Sequence, residues 1–300
     1  MRHLGTHLSI FAVTCAWGGA FVSIKYLLNH GMGPLDLTIG RFVIVGAILL
    51  AILIAHGRRN VWPMKRDWPM VAVVGILGAP VYHLALNYGE MRITASAAGV
   101  LVGTSPVLTA ILSAIILRER FTSLKIMGVA IAFVGVTLVV LFGGGGDHGR
   151  RMSLAGFLIT MIAPISWAMY NVFSKPLASK LPSFQLTAYT ALIGSIILMA
   201  LWRPATTKSL ATLSTSGWLV LIYLGAICTV LGYVVWYRGL RILSATQVAV
   251  YVYFVPVGSL ILARILLREA ITPFLAIGTA LIIGGIVLAN IRPRVAGEGG

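Results

Sequence analysis

His83, Asn87 and Glu90 stand at positions i, i+4 and i+7 of one apolar segment, with Tyr82 adjacent and Pro80 able to bend the chain before them. In a helix that spacing gathers an imidazole, a carboxamide and a carboxyl on one face. A second stripe runs through Ser244, Gln247, Tyr251 and Phe254. Trp17 and Phe21 share another apolar segment, Trp167 and Asn171 a fourth, and Tyr233, Trp236 and Tyr237 a fifth. The chemistry these types offer is recognition, because aromatic walls with a few placed polar groups make a small-molecule pocket. Trp17, Tyr82, His83, Asn87, Trp167, Asn171, Tyr233, Gln247 and Tyr251 are therefore expected to line one binding cavity. The competing account of each aromatic is helix packing or an interfacial belt. It is the better one for Trp62, Trp68, Trp202 and Trp218, which sit at segment ends. His83 reads equally as a packed, hydrogen-bonded histidine or as a contact to the bound molecule.

Catalysis finds no support in the same inventory. It would need a nucleophile with its base, or clustered metal ligands. The chain has no Gly-x-Ser-x-Gly and no His-Glu-x-x-His, and of its histidines (His3, His7, His30, His56, His83, His148) only His83 lies well inside an apolar segment. No metal and no cofactor is expected. The acids Asp36, Asp67, Glu90, Glu119, Asp147, Glu269 and Glu298 all fall near segment ends or in loops. Glu119 and Glu269, beside Arg118 and Arg268, read as caps and ion pairs at helix ends, and Glu90 is the one acid near a pore. Lys25, Lys175 and Arg264 lie close enough to segment ends to reach an interface. Arg41 is deeper, where facing lipid would be costly, so a polar cavity is one reading of it.

Positioning these groups requires helices across a bilayer. The chain is 59% hydrophobic and 10% charged, with a mean hydropathy of +0.97, whereas a soluble domain carries roughly 25% charged residues. Apolar runs near the roughly 20 residues that cross a bilayer fall at 8–28, 35–55, 68–89, 94–117 and 124–142, then at 154–174, 184–202, 216–237, 244–267 and 272–291. Lipid offers backbone groups no partner, so each run is a helix. The expected fold is an all-α integral membrane protein with ten transmembrane helices.

Those ten are two sets of five. A shift of 150 residues lays Leu8 on Leu158, Trp17 on Trp167, Lys25 on Lys175, Trp68 on Trp218 and Gly75 on Gly225. The same shift lays Gly89, Ala95, Pro106, Glu119 and Gly135 on Gly239, Ala245, Pro256, Glu269 and Gly285. Residues 1–142 form the first repeat, the Gly-rich stretch 143–151 a linker, and residues 152–300 the second repeat. Five being odd, the second repeat is expected to be inverted in the membrane. The charges agree: Arg58, Arg59, Lys65 and Arg66 follow span two, while only Lys208 lies in the equivalent loop after span seven. Conversely, Arg92 alone follows span three, but Arg238 and Arg241 accompany the end of span eight. Lys and Arg mark the cytoplasmic side, which places both termini there. The first apolar run is too long for a cleaved signal and contains Trp17. The net charge of +16 is explained by these flanks, and no extramembrane basic face exists to bind nucleic acid. Cys15 and Cys228 lie inside spans, against a disulfide framework. Pro106 and Pro256, at matching mid-span positions, are expected to kink spans four and nine and to act as gating pivots.

Pro34 through Arg41-Phe42, a small-residue run, Pro106, Leu117-Arg118-Glu119, Thr122 and Gly128 to Gly135 resemble the EamA-type repeat of the drug/metabolite transporter superfamily. Ala245, Pro256, Leu267-Arg268-Glu269, Thr272 and Gly278 to Gly285 repeat it. Ala191-Leu192 stands where the first copy has Arg-Phe, so that pair is not a symmetric element of transport. The resemblance implies a multi-pass protein of the plasma (inner) membrane with a cavity lined by spans one, three, four, six, eight and nine. Spans five and ten would then support the bundle or form homodimer contacts. The aromatic lining is similar to that of bacterial aromatic amino-acid and methyl viologen exporters of the YddG type. The expected activity is export of aromatic or bulky neutral amino acids by alternating access. Other metabolites, nucleotide-sugars, cationic or quaternary ammonium drugs, or proton-coupled antiport remain the alternatives. With no carboxyl at a mid-span position, the expectation is downhill, facilitated export, with membrane lipid and a small-molecule substrate as the partners.

Overall fold

The computed structural model describes residues 4–116, 153–243 and 248–290, together with scattered positions between 124 and 138. All regular structure among them is helical. Six helices are long and apolar enough to cross a membrane: α1 (Leu4–Asn29), α2 (Pro34–His56), α3 (Lys65–Glu90), α4 (Ala95–Ser113), α5 (Leu154–Lys180) and α8 (Thr215–Ile242). α6 (Ser183–Met199) and α7 (Pro204–Ala211) meet at 110° and pass that test only as a pair. α9 (Phe254–Leu266) and α10 (Pro273–Asn290) are shorter. The described residues thus hold six or seven such spans where ten were expected. Most of the fifth expected run lies outside them, and its described positions are helical.

Local chemistry sets the boundaries. Pro34 at the first position of α2 gives up no intrahelical bond, and Gly57 ends that helix at φ +50°, a conformation glycine adopts freely. Thr94, Ser153 and Ser214 each accept the backbone N–H three residues on, opening α4, α5 and α8. Glu269 adds to the start of α4, its carboxylate accepting Ala95 N at 2.9 Å, Ser96 N at 3.1 Å and Ser96 Oγ at 2.5 Å. The expected helix-end role of Glu269 is therefore a cap on a helix of the other repeat. Glu119 lies outside the described residues.

Two spans leave α geometry at equivalent places. α3 contains a π-helical turn, Leu77–Val81, and α8 a longer one, Tyr223–Leu231. Pro80 removes a backbone donor in the first; in the second, Thr229 Oγ1 donates to Leu224 O at 2.9 Å. The two matched prolines behave alike, though not as expected. Neither kinks a continuous helix: α4 breaks at Gly103 and Thr104, just before Pro106, and a 3₁₀ turn, Val250–Tyr253, precedes the α9 turn that holds Pro256. In a first turn the missing N–H costs nothing, so each proline marks a break between segments. The two breaks touch, since a Cβ on Gly103 would fall 2.4 Å from Pro256 Cγ.

Small residues bring the spans together. α1 meets α9 where a Cβ on Gly18 would lie 3.0 Å from Gly258 Cα, and α3 meets α5 where one on Gly89 would lie 2.0 Å from Thr160 Oγ1. Such backbone proximity substitutes for the hydrophobic drive that lipid does not supply. Gly89→Val should therefore lower stability by about 1–3 kcal/mol through overpacking. Gly284→Ala, whose Cβ meets nothing within 4 Å, should not. Thermal unfolding of the detergent-solubilised protein compares them, and equal melting temperatures would refute the close-packing argument.

Candidate substrate cavity

Both repeats contribute to one central cavity. α1 gives it Trp17, Ala20, Phe21 and Ile24; α2 gives Arg41; α3 gives Tyr82, His83 and Leu86; and α4 gives Val102. α5 adds Trp167, α8 adds Cys228 and Tyr233, and the 3₁₀ turn with α9 adds Val252 and Val255. The empty volume, its mouth included, is about 490 Å³, of which only a small part is wide enough for water. The rings nearly fill it. Trp17 and Trp167 meet edge to face at 5.4 Å between centroids, Trp17 stands 5.2 Å from Trp236, and Tyr82 lies 5.4 Å from Trp167. A bulky solute must therefore displace side chains to enter.

Residues 150 apart face each other across this cavity. Trp17 packs on Trp167, and His83 Nε2 lies 3.2 Å from the Tyr233 hydroxyl. Carbonyls loosened by the two π turns are matched as well. Gly78 O accepts from Tyr233 Oη at 2.8 Å, and Cys228 O accepts from Trp17 Nε1 at 2.7 Å. Thus the helix irregularities hold the aromatic walls.

Arg41 is the charged group of the cavity. It is 3% exposed, and its Nε donates to Thr229 Oγ1 at 2.8 Å. Its two terminal nitrogens make no hydrogen bond among the described residues, and no acidic side chain lines the cavity. An unpaired guanidinium out of water presents a planar fork of donors suited to a carboxylate.

The sequence expectation divides here. Trp17, Tyr82, His83, Trp167 and Tyr233 line the cavity. Asn87 does not: it is fully buried and donates to Thr38 Oγ1 at 2.9 Å. Asn171 is held away, its Oδ1 accepting from Trp236 Nε1 at 2.8 Å. Tyr251 also lies apart, its hydroxyl 2.6 Å from His7 Nδ1 between α1 and the 3₁₀ turn. Gln247 lies outside the described residues. His83, Asn87 and Glu90 do share one helix, but groups on other helices occupy Asn87, Asn171 and Tyr251. Phe21 and the apolar residues that complete the wall carried no polar signal, and Arg41 was legible only as a depth too great for lipid.

Comparison with known proteins agrees with this architecture. The model of the EamA-like transporter family matches residues 4–141 and again 154–291. A relative from Archaeoglobus fulgidus described as an uncharacterized transporter is 35% identical, over 93% of this chain and 95% of its own length. A probable terminal-alkyne amino-acid exporter from Streptantibioticus cattleyicolor is 31% identical, over 92% of this chain and 90% of its own. A crystal structure at 24% identity superposes with a TM-score of 0.68, covering 95% of this chain and 96% of that one, and shows the fold alone. A helical bundle built from two copies around a buried cavity is the architecture of a membrane carrier. This chain belongs to the EamA-like transporter family: it is a multi-pass membrane transporter.

Trp17 and Cys228 both line the cavity, the indole donating to the Cys228 carbonyl, and Cys228 is fully buried. In a Cys15→Ser background, Trp17→Ala should make Cys228 react faster with a water-soluble maleimide. An unchanged labelling rate would show that Trp17 does not close the cavity.

Proposed function

We propose that the chain exports amino acids with aromatic or other bulky side chains, by alternating access of the central cavity between two inverted repeats. One observation carries the reading: the guanidinium of Arg41, with no acidic partner among the described residues, stands buried among aromatic rings at the cavity wall. The solute's carboxylate would take the free nitrogens of Arg41, its side chain would lie between Trp17, Trp167 and Tyr82, and its ammonium would rest on ring faces. The relative described as a probable terminal-alkyne amino-acid exporter supports this class. The likeness to aromatic amino-acid exporters of the YddG type rests on the same rings. Cationic and quaternary ammonium solutes are disfavoured, because Arg41 would repel them. A second reading also has an observation behind it. Among the described residues no acid faces the cavity to meet an ammonium, which favours aromatic carboxylates lacking the amine.

Support for inversion comes from the facing pairs 150 residues apart, from the odd number of expected spans and from the exchange of basic residues between equivalent loops. Both termini then lie in the cytoplasm. Cysteines at position 59 and position 208 should label from the inside and the outside of the cell respectively. Labelling of both from one side would defeat the inverted arrangement.

The decisive measurement is counterflow in proteoliposomes with labelled phenylalanine, competed by its deaminated analogue and by organic cations. Charge-assisted hydrogen bonds contribute about 1.5–3 kcal/mol, so Arg41→Gln should weaken phenylalanine binding by about 10- to 150-fold. Arg41→Lys, which keeps the charge without the fork, should fall between. Wild-type affinity in Arg41→Gln would remove Arg41 from the site, and better competition by the deaminated analogue would move the substrate to the second reading.

A further inference from the structure

We propose that Glu90 is a proton-binding site of the transport cycle, so that export through the cavity is exchanged for protons. Glu90 closes α3, is 0% exposed, and has no hydrogen-bond partner for either carboxyl oxygen among the described residues. It does not line the cavity. A carboxylate sealed from water without a partner is strongly disfavoured, so this arrangement suits a carboxyl carrying its proton. The rest of that helix face is only half satisfied, since Tyr233 meets His83 Nε2 and Thr38 accepts from Asn87 Nδ2. His83 Nδ1 and Asn87 Oδ1 are also buried and unpartnered. Unpartnered polar atoms therefore run from the cavity wall at His83 to Glu90, along a face where buried groups would ordinarily be satisfied.

The duplicated scaffold supplies a control. Lys25 Nζ donates to Glu90 O at 2.7 Å and Ile93 O at 2.8 Å. In the other repeat Lys175 Nζ donates to Leu240 O and Leu243 O. The clamp is the same, yet a fully buried leucine occupies the position equivalent to Glu90. The fold thus accepts an apolar side chain there, and the carboxyl serves something other than packing.

The charged groups around Glu90 are few. α1 presents Lys25, already against the same residue's carbonyl. Beyond α9, Glu269 is engaged at the start of α4. α5 presents Thr160 opposite Gly89 and carries no charge before Lys175. α2 presents Thr38, bound to Asn87, with Arg41 at the cavity and Asp36 held by Arg203 and Thr206. Arg92 is exposed on the following turn and donates to Tyr88 O. When water reaches Glu90, the carboxyl gives its proton to a water molecule, and the Lys25 ammonium compensates the carboxylate left behind. On the opposite side the carboxylate takes a proton back from hydronium. The polar face through Asn87 to His83 joins this site to whichever side the cavity faces. Such proton exchange departs from the downhill cycle expected from sequence, which rested on the lack of a carboxyl at a mid-span position.

The transport readout rests on the amino-acid reading of the cavity, so the test has two parts. Full-length protein in proteoliposomes with an interior about one pH unit more acidic, the membrane potential clamped with potassium and valinomycin, should accumulate labelled phenylalanine about tenfold for one-to-one exchange. Glu90→Gln and Glu90→Leu should keep phenylalanine exchange at equal pH and lose accumulation, their ratio falling to about one. Accumulation by either variant at the wild-type level, or none by an exchanging wild type, overturns the proposal. Infrared titration of the purified protein needs no substrate. A protonated-carboxyl band near neutral pH, absent from Glu90→Gln, supports the site, and no difference between the two proteins overturns it. If phenylalanine does not exchange at all, the substrate reading fails and the infrared result alone decides Glu90.

Discussion

A backbone carbonyl inside a bilayer must find its hydrogen bond within the protein, and this constraint decides where the cavity forms. Regular helix satisfies the requirement and leaves nothing over. The π turns of α3 and α8, the break before Pro106 and the 3₁₀ turn before Pro256 are four departures from it. All four border the cavity. Tyr82 and His83 follow one π turn and Cys228 lies in the other, while Val102 precedes the break and Val252 sits in the 3₁₀ turn. Side chains take up the loosened carbonyls: Trp17 bonds Cys228 O and Tyr233 bonds Gly78 O. The aromatic walls thus complete the backbone as well as face a solute, which ties the shape of the cavity to its chemistry.

The same bonds show how a duplicated scaffold acquires one asymmetric site. The lysine clamps at positions 25 and 175 and the paired indoles at 17 and 167 keep the repeat relation. The chemistry falls where the copies differ. Arg41 faces the cavity while its equivalent, Ala191, is buried; His83 is answered by Tyr233; Glu90 is answered by Leu240. Packing can be symmetric because both repeats solve the same problem in lipid. A zwitterion or a carboxylate has unlike ends, and one guanidinium suits it better than two.

Much of this was legible before the structure. The repeat, the helical character and five cavity residues follow from spacing and residue type. Asn87, Asn171 and Tyr251 were misplaced for one reason: their partners Thr38, Trp236 and His7 lie on other helices. Linear spacing reports the face of a helix but not what covers it. Pro106 and Pro256 were expected at kinks because a proline inside an apolar run does not reveal that the regular helix is interrupted just before it. Glu90 lies at the end of its span as the sequence suggests, yet it is fully buried, a depth that depends on neighbouring helices and not on its own position in the run.

Arg41 also bears on how such a carrier avoids running empty. A buried charge left without its partner costs about 3–5 kcal/mol. In the proposed cycle the empty, closed cavity carries this penalty, because among the described residues the guanidinium has only Thr229 as partner. A bound carboxylate relieves it. At about 1.4 kcal/mol per tenfold change in rate, the loaded cavity would close about 100- to 4,000-fold more readily than the empty one. One guanidinium in an aromatic shell would then select the solute's charge and restrain the empty carrier, and the empty return step would need a compensating change elsewhere in the bundle. Glu90 is the buried group whose charge can change, and its ionised form would supply the opposite sign along the face that leads to the cavity.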